Sequence, residues 1–427
     1  MKICIIAYKF GTESEIGEHL GTYHWFIEFC RRLVKAGYEV QVLAPNLNFK
    51  NKGSLKIDGV KIVRYFPTFW YRTLAWPINK IWRVFYISRT KNIAQKLIKN
   101  YQPDTVLVWQ SRETGFAISQ IRNKFPNISF LFRQIGPWGW HLNQSAQEIY
   151  AKRSWYKILK KFGLQKLANK ILEFLLDKAS HKKYAQEIYK NFDKIILGSQ
   201  ISVNEAVENG CPLNKAVIQP VTIETELFKP LNQKSELRQE LNIKGKKVLL
   251  FIGRINFAEK GIGYLLDAVK IASQKLPGLN LVIIGGGGEE ERMLKKIKDL
   301  NLEKYTQHVG RKPFSELVKY INASDVFMMP SVWLETFGQV TIEAMACGVP
   351  VIYFNAGASP EINIDGQTGI MVETKNALAM ADAIIKIFSD NERRQHMGAN
   401  ARQRVIENYS YQSLIKMYIE LVNKLKT

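Results

Sequence analysis

Glu335 and Glu343 lie eight positions apart in the run Pro330-Ser331-Val332-Trp333-Leu334-Glu335-Thr336-Phe337-Gly338-Gln339-Val340-Thr341-Ile342-Glu343-Ala344-Met345-Ala346-Cys347-Gly348-Val349-Pro350. Were residues 335–343 all helical, the two carboxylates would stand about 12 Å apart along the axis. A glycosidase acid/base pair is held at roughly 5–9.5 Å, so this spacing suits two grips on one long ligand, not two groups sharing one bond. The amides of Phe337, Gly338 and Gln339 fall in the first turn of a helix expected over Gln339–Cys347. Such amides lack intrahelical acceptors and sit at the positive end of the dipole, where a phosphate or sugar hydroxyl is welcome. Gly338 lets a ligand approach the backbone. A plainer reading stays open: Glu343 as an ordinary helix residue, and Glu335 as a first-turn acid favoured by the dipole. Upstream, Arg254 and Lys260 occupy the loop after an apolar strand, Lys247–Ile252. Two such cations can converge on one diphosphate, Arg with two parallel donors and Lys as a point charge. Spacing alone does not separate them from solvated surface cations.

The elements around these residues read as α/β. Val326–Met329 is a strand, Gly348 and Pro350 end the helix that follows, and Val349, Val351 and Ile352 begin the next strand. That is a βαβ unit with its loop at the carboxyl edge of a parallel sheet. Lys247–Ile252, a helix over Ile262–Leu276 and the strand Leu279–Ile284 form another such unit. The tetrad Gly285–Gly288 follows that last strand. Glu290 breaks its Gly-x-Gly-x-x-Gly pattern, and the acids at 289–291 would repel phosphate, so a close backbone crossing is expected there. Earlier, the strand Lys2–Ala7, a loop from Tyr8 to Gly21, a helix over 22–36 and the strand Glu39–Leu43 make a Rossmann-like opening. Thr105–Trp109, Ser129–Phe132 and Lys194–Leu197 read as further strands. The 427 residues are enough for two domains of ordinary size.

The stretch from 330 to 352 closely resembles the Glu-x7-Glu signature of the retaining family 4 glycosyltransferases, which have the GT-B fold. Gly253, Arg254, Lys260 and Gly261 match that family's Gly-Arg…Lys-Gly pattern. The resemblance spans nearly the whole chain, strongest over 247–372 and loose over 44–190. It implies two Rossmann-like domains facing across a deep cleft, residues 1–222 for the acceptor and 223–410 for the nucleotide sugar, with a final helix, 411–427, crossing back onto the first. It implies that Glu335 and the amides after it, across Thr336, Phe337, Gly338, Gln339 and Val340, hold the donor sugar. By the same resemblance Glu343 binds the ribose hydroxyls, and Gly253, Arg254 and Lys260 meet the diphosphate. Val309 and Gly310 fall where relatives meet the nucleobase, and Gly21 and Thr22 where they face the donor phosphates. Three stretches depart from the pattern. Leu20 and Tyr23 replace the first Gly and a Glu of the Gly-Gly loop. The strand at 129–132 runs into Arg133-Gln134, with no His before His141. A later strand ends in Gln219-Pro220 where relatives have Asn-Gly.

Net charge is +23. Residues 1–220 hold 34 Lys and Arg against 15 Asp and Glu, a net +19, and the remainder is near neutral at +4. In the basic half, aromatics interleave with cations over 65–92, and residues 152–178 read as a basic amphipathic helix. Both suit an anionic membrane surface, although the aromatics can equally pack in a core. No nucleic-acid-binding signature accompanies the charge, so no nucleic acid is expected as partner. The four cysteines are scattered, as in a reduced cytosolic protein. The start is too short for a signal peptide, and no apolar run approaches the ~18 residues of a span. There is no Asp-x-Asp motif and no histidine spacing for a metal. The expected activity is therefore metal-independent, retaining transfer of a sugar from a nucleotide diphosphate donor, with no cofactor. The expected acceptor is a lipid-linked or cell-envelope glycan at the cytoplasmic membrane face, where the protein would be peripheral. Two alternatives are a soluble transferase acting on a small or acidic sugar, and a nucleotide-sugar-binding protein without catalysis.

Overall fold

Lys2–Ala7, KICIIA, is buried at every position after the first. A strand of that kind needs cover on both faces, which a parallel sheet flanked by helices supplies. In the computed structural model, residues 1–8, 10, 21–46, 54–66, 78–136, 138, 161–164 and 178–425 are described. They divide into two compact units. The first contains the opening strand, Thr22–Gln219 and Met417–Thr427; the second contains Pro220–Lys416.

The first sheet comprises β1 (Lys2–Ala7), β2 (Glu39–Pro45), β3 (Leu55–Ile57), β4 (Val60–Tyr65), β5 (Thr105–Trp109), β6 (Ser129–Arg133), β7 (Lys194–Leu197) and β8 (Ala216–Ile218). Their spatial order is β3-β4-β2-β1-β5-β6-β7-β8, parallel except for the antiparallel edge strand β3. The helix Gly21–Lys35 buries Phe26, Phe29 and Leu33, as its 3.6-residue pattern requires. Cys4, Ile6, Val106, Val108, Phe130 and Phe132 form the core of this unit with helix residues such as Tyr86, Ile98 and Ile188. The last helix, Tyr411–Lys424, adds Tyr418, which is fully buried with its ring at 5.3 Å from that of Phe29.

The second sheet comprises β9 (Lys247–Ile252), β10 (Leu279–Ile284), β11 (Thr306–His308), β12 (Val326–Met329), β13 (Val351–Phe354) and β14 (Gly369–Val372), ordered β11-β10-β9-β12-β13-β14 and wholly parallel. This is the doubly wound order, which reverses between β9 and β12. Leu249, Phe251, Leu281 and Ile283 pack with Ile262, Leu265 and Leu266 of the helix Ile262–Ser273. Two boundaries differ from expectation. A single helical turn, Phe257–Lys260, precedes Ile262–Ser273, because Asn256 is a strong N-cap. The later helix is Gln339–Ala346, with Gly338 left-handed at φ +87 as its N-cap. Phe337 therefore stands outside the helix.

Of the aromatic and basic stretches expected at 65–92 and 152–178, residues 67–77 of the first, and all of the second apart from 161–164 and 178, lie outside the described residues. Among the described residues, no helix is long and apolar enough to cross a membrane.

Candidate functional site

β9 and β12 pair directly, Leu249 with Val326 and Leu250 with Phe327, where the strand order reverses. Loops leaving the carboxyl ends of such neighbours diverge and leave room for a ligand. The loop after β9 carries Gly253 and Arg254. Asn256 then caps Phe257–Lys260 by accepting from Glu259 N at 2.7 Å, and Glu289 Oε2 accepts from Phe257 N at 2.8 Å. Gly261 turns left-handed at φ +63, and a Cβ there would fall 2.0 Å from the carbonyl oxygen of Pro330. Only glycine lets the two loops touch. Glu259 O accepts from Val332 N at 3.0 Å and from Ser331 Oγ at 3.2 Å, which binds the loop after β9 to the loop after β12.

That union brings Lys260 Nζ to 2.5 Å from Glu335 Oε2, with side chains only 21% and 20% exposed. Ser331 Oγ is 3.4 Å from the same oxygen. The loop after β13 closes on Glu335 from behind: Ala358 N donates to its carbonyl at 2.8 Å. A Cβ on Gly357 would lie 2.6 Å from Glu335 N and O. Arg254 Nη2 pairs with the carboxylate of Glu259, and here the guanidinium is 59% exposed. The acid itself is only 10% exposed, so the pair stays intact while the outer face of the guanidinium remains open to a phosphate. The Lys260–Glu335 pair is more enclosed and holds its geometry. Arg254, Lys260 and Glu335 thus form one constellation, joined by Glu259. Sequence reasoning singled out Lys260 and Gly261 but missed Glu259, Ser331 and Gly357. Nothing in spacing tells an acid that anchors a guanidinium from one in solvent.

Thr336 is partly exposed in the loop, and the ring of Phe337 is buried against Tyr409 at 5.5 Å. The free first-turn amides begin with Gln339 and Val340, later than expected, since Thr341 N already donates to Gly338 O at 3.0 Å. One turn on, Glu343 is 2% exposed. Gln339 Nε2 donates to its Oε1 at 3.1 Å, while Oε2 has no hydrogen-bond partner among the described residues. Burial pushes this carboxyl up from 4.5 to about 7, against the opposing pull of the Gln339 hydrogen bond. A sequestered acceptor atom of this kind suits a ligand hydroxyl.

Gly285 has φ +136, and a Cβ on it would lie 1.8 Å from Gly253 O. Ile255 N donates to Gly286 O at 3.1 Å. The glycine tetrad is therefore a backbone crossing that supports Gly253 and Arg254. Glu289, read as one of three acids that would repel phosphate, also accepts from Arg292 at 2.8 Å and is structural. Val309 N and Gly310 O are used at the sheet edge, bonded to Ile283 O at 3.0 Å and Gly285 N at 2.8 Å. Gly310 is left-handed at φ +70. Among the described residues, no group of three or more His, Cys, Asp and Glu is placed to hold a metal ion.

Gly21 and Thr22 open the helix Gly21–Lys35; the loop over 11–20 lies outside the described residues. The two departures at strand ends meet each other. Arg133 is buried, and its Nη1 and Nη2 donate to Gln219 Oε1 and O, both at 2.9 Å. Burial lowers its pKa to about 9, so it stays cationic at neutral pH.

Residues 233–404 match the family model described as "Glycosyl transferases group 1". That part of the chain is similar to a group 1 glycosyltransferase domain. The match covers β9 to β14 and every residue of the Arg254–Glu259–Lys260–Glu335–Glu343 set. The chain is 30% identical over 254 residues to a D-inositol 3-phosphate glycosyltransferase of Corynebacterium urealyticum, covering 57% of this chain and 59% of that one. It spans about half to three-fifths of the lengths of such curated relatives. Among solved structures, sucrose-phosphate synthase from Thermosynechococcus elongatus matches with TM-score 0.73 at 20% identity, covering 99% of this chain and 98% of that one. Anabaena HepE in complex with UDP matches with TM-score 0.70 at 16% identity, covering 99% and 100%. The fold of the chain is GT-B: two parallel-sheet Rossmann-like units and a last helix whose end returns to the first unit.

Proposed function

We propose that the protein transfers a sugar, with retention and without a metal ion, from a nucleoside diphosphate donor to a lipid-linked or cell-envelope glycan at the cytoplasmic face of a membrane. The observation that carries the transfer is the convergence of Lys260, Glu335 and, through Glu259, Arg254 where the second sheet reverses its strand order. The bond between the sugar and the diphosphate breaks, and negative charge grows on the leaving group. Fixed cations aimed at that charge stabilise it without reorganisation. Arg254 and Lys260 meet the phosphates, with first-turn amides at Gln339 and Val340 facing electron-rich atoms. Glu335 grips the sugar and Glu343 Oε2 accepts from the ribose hydroxyls. The acceptor hydroxyl gives its proton to an oxygen of the departing diphosphate, so no separate protein base is needed.

The membrane half of the reading is supported by the +19 of residues 1–220. A second reading, a soluble enzyme with a small acidic acceptor, is favoured by the name of the inositol phosphate relative together with the same charge. Thermal shift against a panel of nucleotide sugars, UDP-sugars first, identifies the donor, since a ligand of the folded state raises the melting temperature. With that donor, Glu335→Ala is expected to lower turnover by roughly 10²–10³ at unchanged melting temperature. Lys260→Ala should weaken donor binding, and a chelator should leave the rate unchanged. Wild-type rates in both variants would sink the assignment of this site.

A further inference from the structure

The helix Ile78–Tyr101 has one face in the core of the first unit. Tyr86, Ile87, Thr90, Ala94 and Ile98 are buried, at the spacing of one helical stripe. The opposite face is also apolar at its start: Ile81, Val84 and Phe85 are 69%, 62% and 43% exposed. Phe66, just past β4, joins them, with its ring 6.4 Å from that of Phe85 and 5.9 Å from that of Trp82. Farther along, the exposed face changes chemistry to Arg89, Lys96 and Lys99. The helix holds six Lys and Arg and no Asp or Glu.

A helix packed on a core has a polar outer face, and core packing does not account for this second apolar stripe. An acidic soluble partner would match the cations but would leave the Ile, Val and Phe side chains without a counterpart. An anionic bilayer matches both, with apolar side chains at the headgroup–acyl boundary and cations among the lipid phosphates. We propose that this face of Ile78–Tyr101, with Phe66, is the surface by which the protein docks on an anionic membrane. This deepens the membrane half of the function proposed above and rests on it.

Flotation of the full-length protein with vesicles of equal parts phosphatidylglycerol and phosphatidylcholine tests the proposal, beside vesicles of phosphatidylcholine alone. Wild type is expected to float with the anionic vesicles, less at high salt, and poorly with the neutral ones. Val84→Ser with Phe85→Ser should weaken binding at least about ten-fold. Arg89→Gln with Lys96→Gln should weaken it about 25-fold, at roughly five-fold per cation. Should either pair fail to fold by its melting curve, Ile81→Ser, at the most exposed of these positions, replaces it. Failure of wild type to bind anionic vesicles, equal binding to neutral ones, or unchanged binding by the variants would overturn the docking surface. Slow hydrolysis of the identified donor is measured in the same samples. Vesicle binding without hydrolysis would count against the transferase reading alone, and hydrolysis without vesicle binding against the docking surface alone.

Discussion

Glu343 is a carboxyl whose surroundings oppose its charge, and its stability cost has a definite sign. Its pKa is about 7 in the folded protein against 4.5 when solvated. The folded state therefore binds more protons between those values, and stability falls as pH rises through that window. Above about pH 7 the loss is complete, about 3 kcal/mol. Glu343→Gln is expected to remove this slope: denaturant melts should show the variant more stable than wild type at pH 8 and no more stable at pH 4. A hydroxyl donated to Oε2 favours the charged form, so donor affinity of the wild type should rise between pH 6 and 8. The same substitution should flatten that profile in a calorimetric titration. Lys260 and Glu335 differ in kind. They are partly enclosed and already paired, so their role is geometric alignment for a ligand that shares both charges.

The loop after β9 acts through its contact with the glycine tetrad after β10. Gly285 and Gly288 are neighbours in sequence but not in what surrounds them. A Cβ at 285 meets the Gly253 carbonyl at 1.8 Å in a left-handed backbone, whereas one at 288 meets nothing within 4 Å. Gly285→Ala is expected to cost roughly 2–4 kcal/mol and to weaken donor binding by displacing Arg254. Gly288→Ala should leave both near wild type. Equal melting temperatures for the two variants would show that the crossing is not what holds the Arg254 loop.

At the scale of the whole molecule, the last helix ties the end of the chain to the core of the first unit through Tyr418. The ring is fully buried, and its hydroxyl has no hydrogen-bond partner among the described residues. Tyr418→Ala should therefore cost about 3–5 kcal/mol by cavity formation, read as a lowered first transition in calorimetry. Tyr418→Phe, which deletes only the unpartnered hydroxyl, should match or exceed wild type. Loss of stability in the Phe variant would mean that the hydroxyl, not the ring, does the anchoring.

The fold class was legible before any coordinates because parallel strands buried on both faces are written as short apolar runs. Lys247–Ile252, Leu279–Ile284 and Val326–Met329 occur where those runs predict. Arg254, Lys260, Glu335 and Glu343 were singled out by resemblance to a family motif, while their spacing alone left a plain surface or helix role open. What depends on distant backbones meeting was not legible. Glu259 joins Arg254 to the loop of Glu335, Gly357 backs that loop, and Arg133 and Gln219 are each other's partners, 86 positions apart. Local sequence sets which face of an element is apolar and where a turn falls. Only the packed sheet decides which loop ends converge, and so which carboxylate faces a cation and which is left in the dark with its charge opposed.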